Sequence, residues 1–291
     1  MKSPLFTGGC TALVTPFQNG KLNLAMLETL LNRQMEAGIG AVVVCGTTGE
    51  APTLSDAEKI TIFHRTKDFC GSGCTVIAGT GSNDTRHAVA LSRAAEDSGA
   101  DALLVVTPYY NKATPDGLYA HYSAVAAAVH IPVILYNVPS RTGVDIPVSV
   151  YQKLSEIPNV AGVKEASTDL GKILSIRAEC PSNFIVWSGN DDLTVPVMSL
   201  GGQGVISVAA NVAPMQVQVM AQAALAGDFD TASAIQIELL PLIRLLFSAV
   251  NPIPVKAAME LLGYDCGPCR LPLSSLPDET LRKLSAFLSG H

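Results

Sequence analysis

The chain has 291 residues, with 19 Lys and Arg against 25 Asp and Glu residues, so its formal net charge is −6. This acidic balance excludes the basic surface that a nucleic-acid-binding protein needs. Apolar residues make up 48% of the chain and charged residues only 15%. The composition predicts a large buried core, and the low charged fraction favours self-association.

Neither a membrane span nor a secretion signal is predicted. Residues 193–227 carry no charge, but glutamines, an asparagine and two prolines interrupt them, so a buried strand and helix is expected there. The first ten residues lack a charged lead followed by an apolar run. Seven cysteines, an odd number, are typical of reduced thiols, and we expect a cytoplasmic protein.

Short runs of apolar and β-branched residues recur along the chain, and their starts lie about 20 to 35 residues apart. This spacing leaves room for one returning helix between parallel strands, which predicts repeated strand–helix units. The predicted strands cover residues 11–14, 41–45, 75–79, 102–107, 132–138, 160–164, 184–188 and 204–208.

Two helix starts are marked by polar residues between these runs. Ser55 and Glu58 have the spacing of a capping box and predict a helix that runs towards Gly71. Asn83 or Asp84 begins the next helix. Eight strand–helix units predict a (β/α)8 TIM barrel, whose closure removes the exposed sheet edges, with an open doubly wound sheet as the alternative.

The strand–helix alternation ends near residue 225. We therefore expect a catalytic barrel in residues 1–225 and a helical region in residues 226–291. The helical region is predicted to contain helices over residues 231–250, 255–263 and 278–289.

Lys164 ends an otherwise apolar predicted strand, at the side of a barrel where catalytic groups are found. Removal of its ammonium group from water would favour the neutral amine, which can form an imine with a carbonyl substrate. The alternative is a surface lysine neutralised by Glu165 or by another carboxylate. Four other lysines fall on helical patterns that we expect to face solvent, namely Lys59, Lys67, Lys153 and Lys172.

Three further predicted strands end in polar groups. Thr47 and Thr48, between two glycines, could hold a carboxylate through hydroxyl and N–H groups, or could simply cap an ordinary turn. Tyr110 follows the fourth strand, while Tyr136 and Arg141 lie at the end of the fifth. Phenol and guanidinium groups suit proton transfer and carboxylate recognition, although each could equally be an amphipathic rim residue.

No metal, phosphate or serine hydrolase site is predicted. The five histidines lack metal-ligand spacing, no P-loop occurs, and no GxSxG elbow is present. Cys266 and Cys269 have the spacing of a thioredoxin-type redox motif, but no apolar strand precedes them and no second pair completes a zinc site. We interpret this segment as a loop with two incidental thiols.

Five motifs lie in a fixed order along nearly the whole chain. They are Gly46-Thr-Thr-Gly-Glu50, Thr107-Pro-Tyr-Tyr110, Tyr136-Asn-Val-Pro-Ser-Arg-Thr-Gly143, Val163-Lys-Glu165 and Gly204-Val-Ile-Ser207. Together they resemble the dihydrodipicolinate synthase (4-hydroxy-tetrahydrodipicolinate synthase) family. The resemblance implies a lyase, a pyruvate-dependent class I aldolase of lysine and diaminopimelate biosynthesis.

The resemblance also implies roles for the reactive side chains. Lys164 would form an imine with pyruvate, and the derived enamine would add to L-aspartate 4-semialdehyde, with no separate cofactor and no metal. Tyr136 would act as general acid and base, and Thr47 would link two phenols in a proton relay. Tyr110 would reach into the site of a neighbouring subunit.

Further residues are implied in substrate binding. Thr48 would hold the carboxylate of pyruvate, Arg141 would pair with that of the semialdehyde, and Gly189 and Ile206 would contribute backbone carbonyls around Lys164. The resemblance implies a homo-oligomer, as a tetramer built from two dimers, with no nucleic-acid or membrane partner.

Two other functions stay open. N-acetylneuraminate lyase and 2-keto-3-deoxy sugar acid aldolases share the lysine and the tyrosine, but Arg141 suits a small charged partner better than a polyhydroxylated sugar acid. A non-catalytic barrel that binds a keto acid is the second alternative, since the fold alone does not establish catalysis.

The sequence departs from the family pattern at two places. Lysine-inhibited members use His and Glu side chains where this chain has Asp56, Lys59 and His87, with Asn83 and Tyr109 retained. Because Lys59 would repel a lysine ammonium group, we expect weak or absent feedback inhibition. The other departure is the pair Asn190 and Asp191, where two acidic residues are more usual, and it leaves the charge near the seventh strand open.

Overall fold

A computed structural model of the chain describes residues 4–290. Residues 1–3 and 291 lie outside the described residues. The predictions for the first ten residues and for the two regions, residues 1–225 and 226–291, therefore extend beyond the described residues at those ends. Within residues 4–290, eight parallel strands close into a barrel, in which the first strand pairs with both the second and the last. The strands are β1 (Gly8–Ala12), β2 (Ala41–Val44), β3 (Thr75–Gly79), β4 (Ala102–Val106), β5 (Val133–Asn137), β6 (Val160–Glu165), β7 (Ile185–Ser188) and β8 (Gly204–Ser207).

Helices alternate with these strands, so the predicted (β/α)8 TIM barrel is confirmed. The helices are α1 (Leu24–Glu36), α2 (Asp56–Cys70), α3 (Thr85–Asp97), α4 (Pro115–Ala127), α5 (Val148–Ser155), α6 (Leu170–Glu179), α7 (Thr194–Ser199) and α8 (Pro214–Leu225). A small hairpin, Phe17–Gln18 with Lys21–Leu22, precedes α1, and a helical turn, Pro139–Thr142, follows β5. The predicted capping box is present, because the Ser55 hydroxyl accepts from the Glu58 N–H and the Glu58 carboxylate accepts from the Ser55 N–H.

The C-terminal helical extension is confirmed as well. It contains α9 (Phe229–Leu246), α10 (Ile253–Leu261) and α11 (Asp278–Ser289), close to the three predicted ranges. In the part of the chain that the structure describes, no helix combines the length and the apolar character needed to cross a membrane.

Two apolar layers hold the barrel together. Alternate strand residues point inward and form a small cluster inside the barrel, which includes Cys10, Ile134, Tyr136, Trp187 and Ile206. The remaining strand residues point outward and join the larger cluster beneath the helices. This alternation decides which side chains reach the barrel interior, where the site lies.

The sequence predictions fail locally at the first strand and at two lysines. β1 begins at Gly8 rather than at residue 11, because Gly8 and Gly9 pair with β8 through backbone groups that leave no side-chain signal. Lys59 and Lys172 are buried, with 8% exposure each, and do not face solvent as expected. Lys172 enters the protein because Asp145 and Glu165 supply carboxylates for its ammonium group.

Candidate active site

Lys164 and Tyr136 face each other across neighbouring strands inside the barrel. They are paired in the register between β5 and β6, so the alternation of side chains sends both inward. Lys164 is 6% exposed, and its Nζ lies 4.5 Å from the centroid of the Tyr136 ring. A primary amine therefore lies next to a phenol at the carboxyl ends of the strands, where barrel enzymes carry their chemistry.

A cavity of about 160 Å³ opens beside Lys164. Thr47, Thr48, Arg141 and Gly189 line it together with Lys164, so the structure brings these predicted residues to one place. The wall requires glycine at position 189, because a Cβ there would come within 2.6 Å of the Ala166 side chain. Such a space has room for a small molecule.

Ile206 is placed differently from the other predicted substrate-binding residues. It is 1% exposed, and its side chain packs in the apolar cluster inside the barrel. Only its backbone groups could therefore take part in polar contacts, which is the kind of contact that the family resemblance implies for it.

Glu165 does not pair with Lys164, because its side chain points to the opposite face of β6. One carboxylate oxygen accepts from the side-chain amide of Asn137 at 2.8 Å, and the other accepts from the Tyr151 hydroxyl at 2.9 Å. Lys172 lies 3.6 Å from the same carboxylate. Burial and then the charge of Glu165 raise the pKa of Tyr151 well above its ordinary value. Among the described residues, Lys164 forms no ion pair with a carboxylate.

Asp191 places a buried carboxyl group near the same lysine. Its carboxylate accepts from the Ser207 hydroxyl and from the N–H groups of Val208 and Ala209, at 2.9 and 3.1 Å. Burial raises the pKa of Asp191, while these hydrogen bonds and the charge of Lys164 act in the opposite direction. Near the seventh strand, where the sequence left the charge open, the structure thus places one buried acidic side chain that is held by three donors.

The loop that carries Thr47 and Thr48 is held by groups distant in the sequence. Asn251 donates from Nδ2 to the Thr48 hydroxyl at 3.0 Å. Glu50 has a left-handed backbone conformation, with φ of 57°, and its carboxylate lies 2.9 Å from the Nζ of Lys256 in α10. Sequence reasoning missed Asn251 and Lys256, although a lysine inside the apolar segment of α10 was a usable signal.

Tyr110 lies at the entrance of a second, larger cavity. It is 87% exposed and has a φ of 75°, which is uncommon for a bulky residue. The cavity has a volume of about 1110 Å³ and is also lined by Thr47, Tyr136 and Arg141. Within the described part of this single chain, the Thr47 side chain forms no hydrogen bond with the hydroxyl of Tyr110 or of Tyr136. The predicted proton relay, in which Thr47 links two phenols, is therefore not connected in the isolated chain.

The same large cavity contains the residues that the family resemblance links to inhibition by lysine. Its wall residues include Asp56, Lys59, Asn83, His87 and Tyr109. The Nε2 atom of His87 lies 2.9 Å from the Asp56 carboxylate. These five residues thus line one cavity. Among its charged groups is the ammonium group of Lys59, which is buried.

Metal and thiol chemistry gain no support from the geometry. No group of three or more His, Cys, Asp or Glu side chains in residues 4–290 is arranged to hold a metal ion. Cys266 and Cys269 are free thiols in an irregular segment after α10. Burial raises the pKa of Cys266 to about 12 and that of Cys269 to about 11, whereas a redox-active thiol needs a depressed pKa.

Comparisons with known proteins find relatives whose similarity extends over nearly the whole chain. The model of the Dihydrodipicolinate synthetase family matches residues 5–291. The 4-hydroxy-tetrahydrodipicolinate synthase of Acetivibrio thermocellus is 46% identical, over 100% of this chain and 99% of that protein. The crystal structure of dihydrodipicolinate synthase from Aquifex aeolicus superposes with a TM-score of 0.97 at 44% identity, covering 98% of both chains. A structure titled as a monomeric dihydrodipicolinate synthase variant has a TM-score of 0.96 at 40% identity, covering 98% of this chain and 96% of that one.

Proposed function

The chain belongs to the dihydrodipicolinate synthetase family, and from this membership we propose that it is a lyase that condenses pyruvate with L-aspartate 4-semialdehyde. The reaction would serve diaminopimelate and lysine biosynthesis. The observation that carries the proposal is the buried amine of Lys164 beside the Tyr136 ring, at the wall of a small cavity.

Lys164 begins the reaction as a nucleophile. Its amine adds to the ketone carbon of pyruvate, and loss of water gives a protonated imine. Loss of a proton from the methyl group then gives an enamine, because the imine nitrogen accepts the electron pair. The imine thus takes the place of a separate cofactor, and no cofactor or metal is proposed.

The enamine carbon next attacks the aldehyde carbon of L-aspartate 4-semialdehyde, forming the new carbon–carbon bond. Attack of the semialdehyde's own amine on the imine carbon closes the ring and releases Lys164. Tyr136, whose ring centroid lies 4.5 Å from the Nζ of Lys164, donates and accepts the protons. Thr47 and Tyr110 would continue the proton relay, which requires the neighbouring subunit.

The substrate carboxylates are assigned to separate groups. Thr48, with its adjacent backbone, holds the carboxylate of pyruvate, and Arg141 receives that of the semialdehyde. Gly189 and Ile206 contribute backbone carbonyls around the imine. The colocation of Thr48, Arg141 and Gly189 at the cavity of Lys164 supports these assignments.

We also propose a homo-oligomer, a tetramer made of two dimers, in the cytoplasm. Support for the dimer comes from Tyr110, whose exposed phenol would be covered and placed by a second copy of the chain. Support for a reducing compartment comes from the free thiols of all seven cysteines.

Borohydride reduction in the presence of pyruvate tests the proposal. We expect a covalent adduct, whose mass and peptide position assign it to Lys164, and no adduct in Lys164→Met. Lys153→Met, which removes a lysine from the outer helix α5, is the matched control and should keep the adduct. Bound pyruvate without an adduct would instead favour the non-catalytic binder. Turnover with sugar acids but not with the semialdehyde would favour the sugar acid aldolases.

A further inference from the structure

Asn251 lies between α9 and α10 and contacts the site from the C-terminal region. Its side chain is 6% exposed and lines the cavity of Lys164. The amide Nδ2 lies 3.0 Å from the hydroxyl oxygen of Thr48, which is itself 3% exposed. The two residues are separated by 203 positions in the sequence, so the tertiary fold creates this contact.

The direction of this hydrogen bond determines what the Thr48 hydroxyl can do. An amide nitrogen only donates, so the hydroxyl oxygen accepts and its own hydrogen is left to donate elsewhere. Within residues 4–290, the hydroxyl has no other hydrogen-bond partner. The Oδ1 of Asn251 is buried and also lacks a partner in that part of the chain.

We propose that Asn251 is a positioning residue for pyruvate. Resting on the proposed function, the inference is that its amide occupies the acceptor side of the Thr48 hydroxyl and aims the O–H at the pyruvate carboxylate. A hydrogen bond from a neutral hydroxyl to a carboxylate is stronger than one between two neutral groups. Pyruvate would therefore be held in place for attack by Lys164 through a residue that does not touch it.

The opposite orientation of the Asn251 amide would give the opposite result. An oxygen at the position of Nδ2 would accept the Thr48 hydrogen, and the hydroxyl would then present only lone pairs to the substrate carboxylate. Asn251→Asp places an oxygen there without changing the size of the side chain, and it adds a negative charge. Asn251→Ala removes the contact altogether.

The experiment measures the pyruvate concentration that half-saturates borohydride trapping on Lys164, without the second substrate. We expect Asn251→Ala to raise this concentration about tenfold, the effect of losing one charge-assisted hydrogen bond, and Asn251→Asp to raise it further. Asn159→Ala is the matched control, because Asn159 holds backbone carbonyls of Ala126 and Val129 at the amino-terminal side of β6. It should leave the concentration unchanged.

A double-mutant cycle separates positioning from a general structural effect. In a Thr48→Val background, Asn251→Ala should have no further effect on half-saturation, since the hydroxyl on which it acts is gone. An equal effect in both backgrounds, or unchanged half-saturation in Asn251→Ala and Asn251→Asp, would overturn the inference. If Asn251→Ala does not fold, the same-size Asn251→Asp carries the comparison. Absence of an adduct in the unsubstituted protein would overturn the proposed function, and this inference with it.

Discussion

At the scale of single residues, we propose that the charge of Arg141 at the cavity mouth selects the second substrate. Arg141 is exposed and lines both the small and the large cavity. Its guanidinium can bind the carboxylate of a small charged aldehyde in a fork of two hydrogen bonds. A sugar acid would need hydroxyl contacts along its length instead.

Replacement of Arg141 should therefore separate the two substrates. We expect Arg141→Ala to raise the KM for L-aspartate 4-semialdehyde about tenfold or more and to lower kcat/KM, because a charge-assisted contact is lost. Trapping of pyruvate on Lys164 should stay largely intact. Arg282→Ala, on the exposed side of α11, is the control and should change neither value. An unchanged KM in Arg141→Ala would contradict the assigned role.

A second residue-scale prediction concerns Lys59. Its side chain is 8% exposed and faces the large cavity together with Asp56 and His87. An ammonium group removed from water interacts strongly with like charge, so the amines of free L-lysine should be repelled. We therefore expect weak or absent inhibition by L-lysine.

Titration calorimetry and steady-state inhibition with L-lysine measure this expectation. Lys59→Met removes the repelling charge while keeping much of the length, and it should bind L-lysine more tightly than the unsubstituted protein. An inhibition constant for L-lysine in the micromolar range in the unsubstituted protein would show that the prediction is wrong.

At the scale of elements, α10 and the segment after it hold the loop between β2 and α2 in place. Lys256 donates to Glu50, and the ion pair is almost fully buried. Arg270 donates from its backbone N–H to Glu50 at 2.8 Å and from its guanidinium to Glu58 at 2.6 Å. The loop with Thr48 is therefore fixed by charges from another element, and loss of one partner of the buried pair would leave an uncompensated charge.

The pair of Glu58 and Arg270 makes a prediction for acid stability. The hydrogen bond from Arg270 lowers the pKa of Glu58 from 4.5 to about 2. The stabilisation that this pair gives to the folded protein is fully present above pH 4.5. It is lost as the pH falls from 4.5 towards 2, because the Glu58 carboxylate then becomes protonated. The two side chains are about one quarter exposed, so solvent screens their interaction. The pair therefore contributes about 2 kcal/mol to the free energy of unfolding.

Chemical denaturation as a function of pH measures this contribution. Glu58→Gln should lower the free energy of unfolding by about 2 kcal/mol at neutral pH, and the difference from the unsubstituted protein should shrink between pH 4.5 and 2. Glu279→Gln is the control, because Glu279 forms an exposed pair with Lys283 and should matter little. A difference between Glu58→Gln and the unsubstituted protein that does not depend on pH would contradict the argument.

At the scale of the whole molecule, the catalytic barrel depends on what surrounds it. We propose that residues 1–225 form this barrel and that residues 226–291 form a helical region that completes its site. Asn251 and Lys256 support this division of roles, since both reach the loop after β2. A second copy of the chain is proposed to add the phenol of Tyr110.

Dilution that dissociates the dimer should therefore lower the activity at concentrations where the monomer is still folded. We expect Tyr110→Phe to lower kcat while the adduct with pyruvate still forms, because the proton relay loses its hydroxyl. Mixing Tyr110→Phe with an inactive Lys164→Met variant should restore part of the activity, since each mixed dimer contains one complete site. Sedimentation gives the oligomeric state at each concentration. Full activity of a monomer would show that the dependence on a neighbour is wrong.

The sequence alone determined the barrel, because the strand spacing and the capping box of Ser55 and Glu58 depend on neighbours along the chain. It also placed Lys164, Thr48 and Arg141 at strand ends, where closure of the barrel collects them. Only the tertiary structure decided the partners of these residues. The contacts of Asn251 with Thr48 and of Lys256 with Glu50 join residues 203 and 206 positions apart, and local patterns carry no information about which distant charge or amide will meet them.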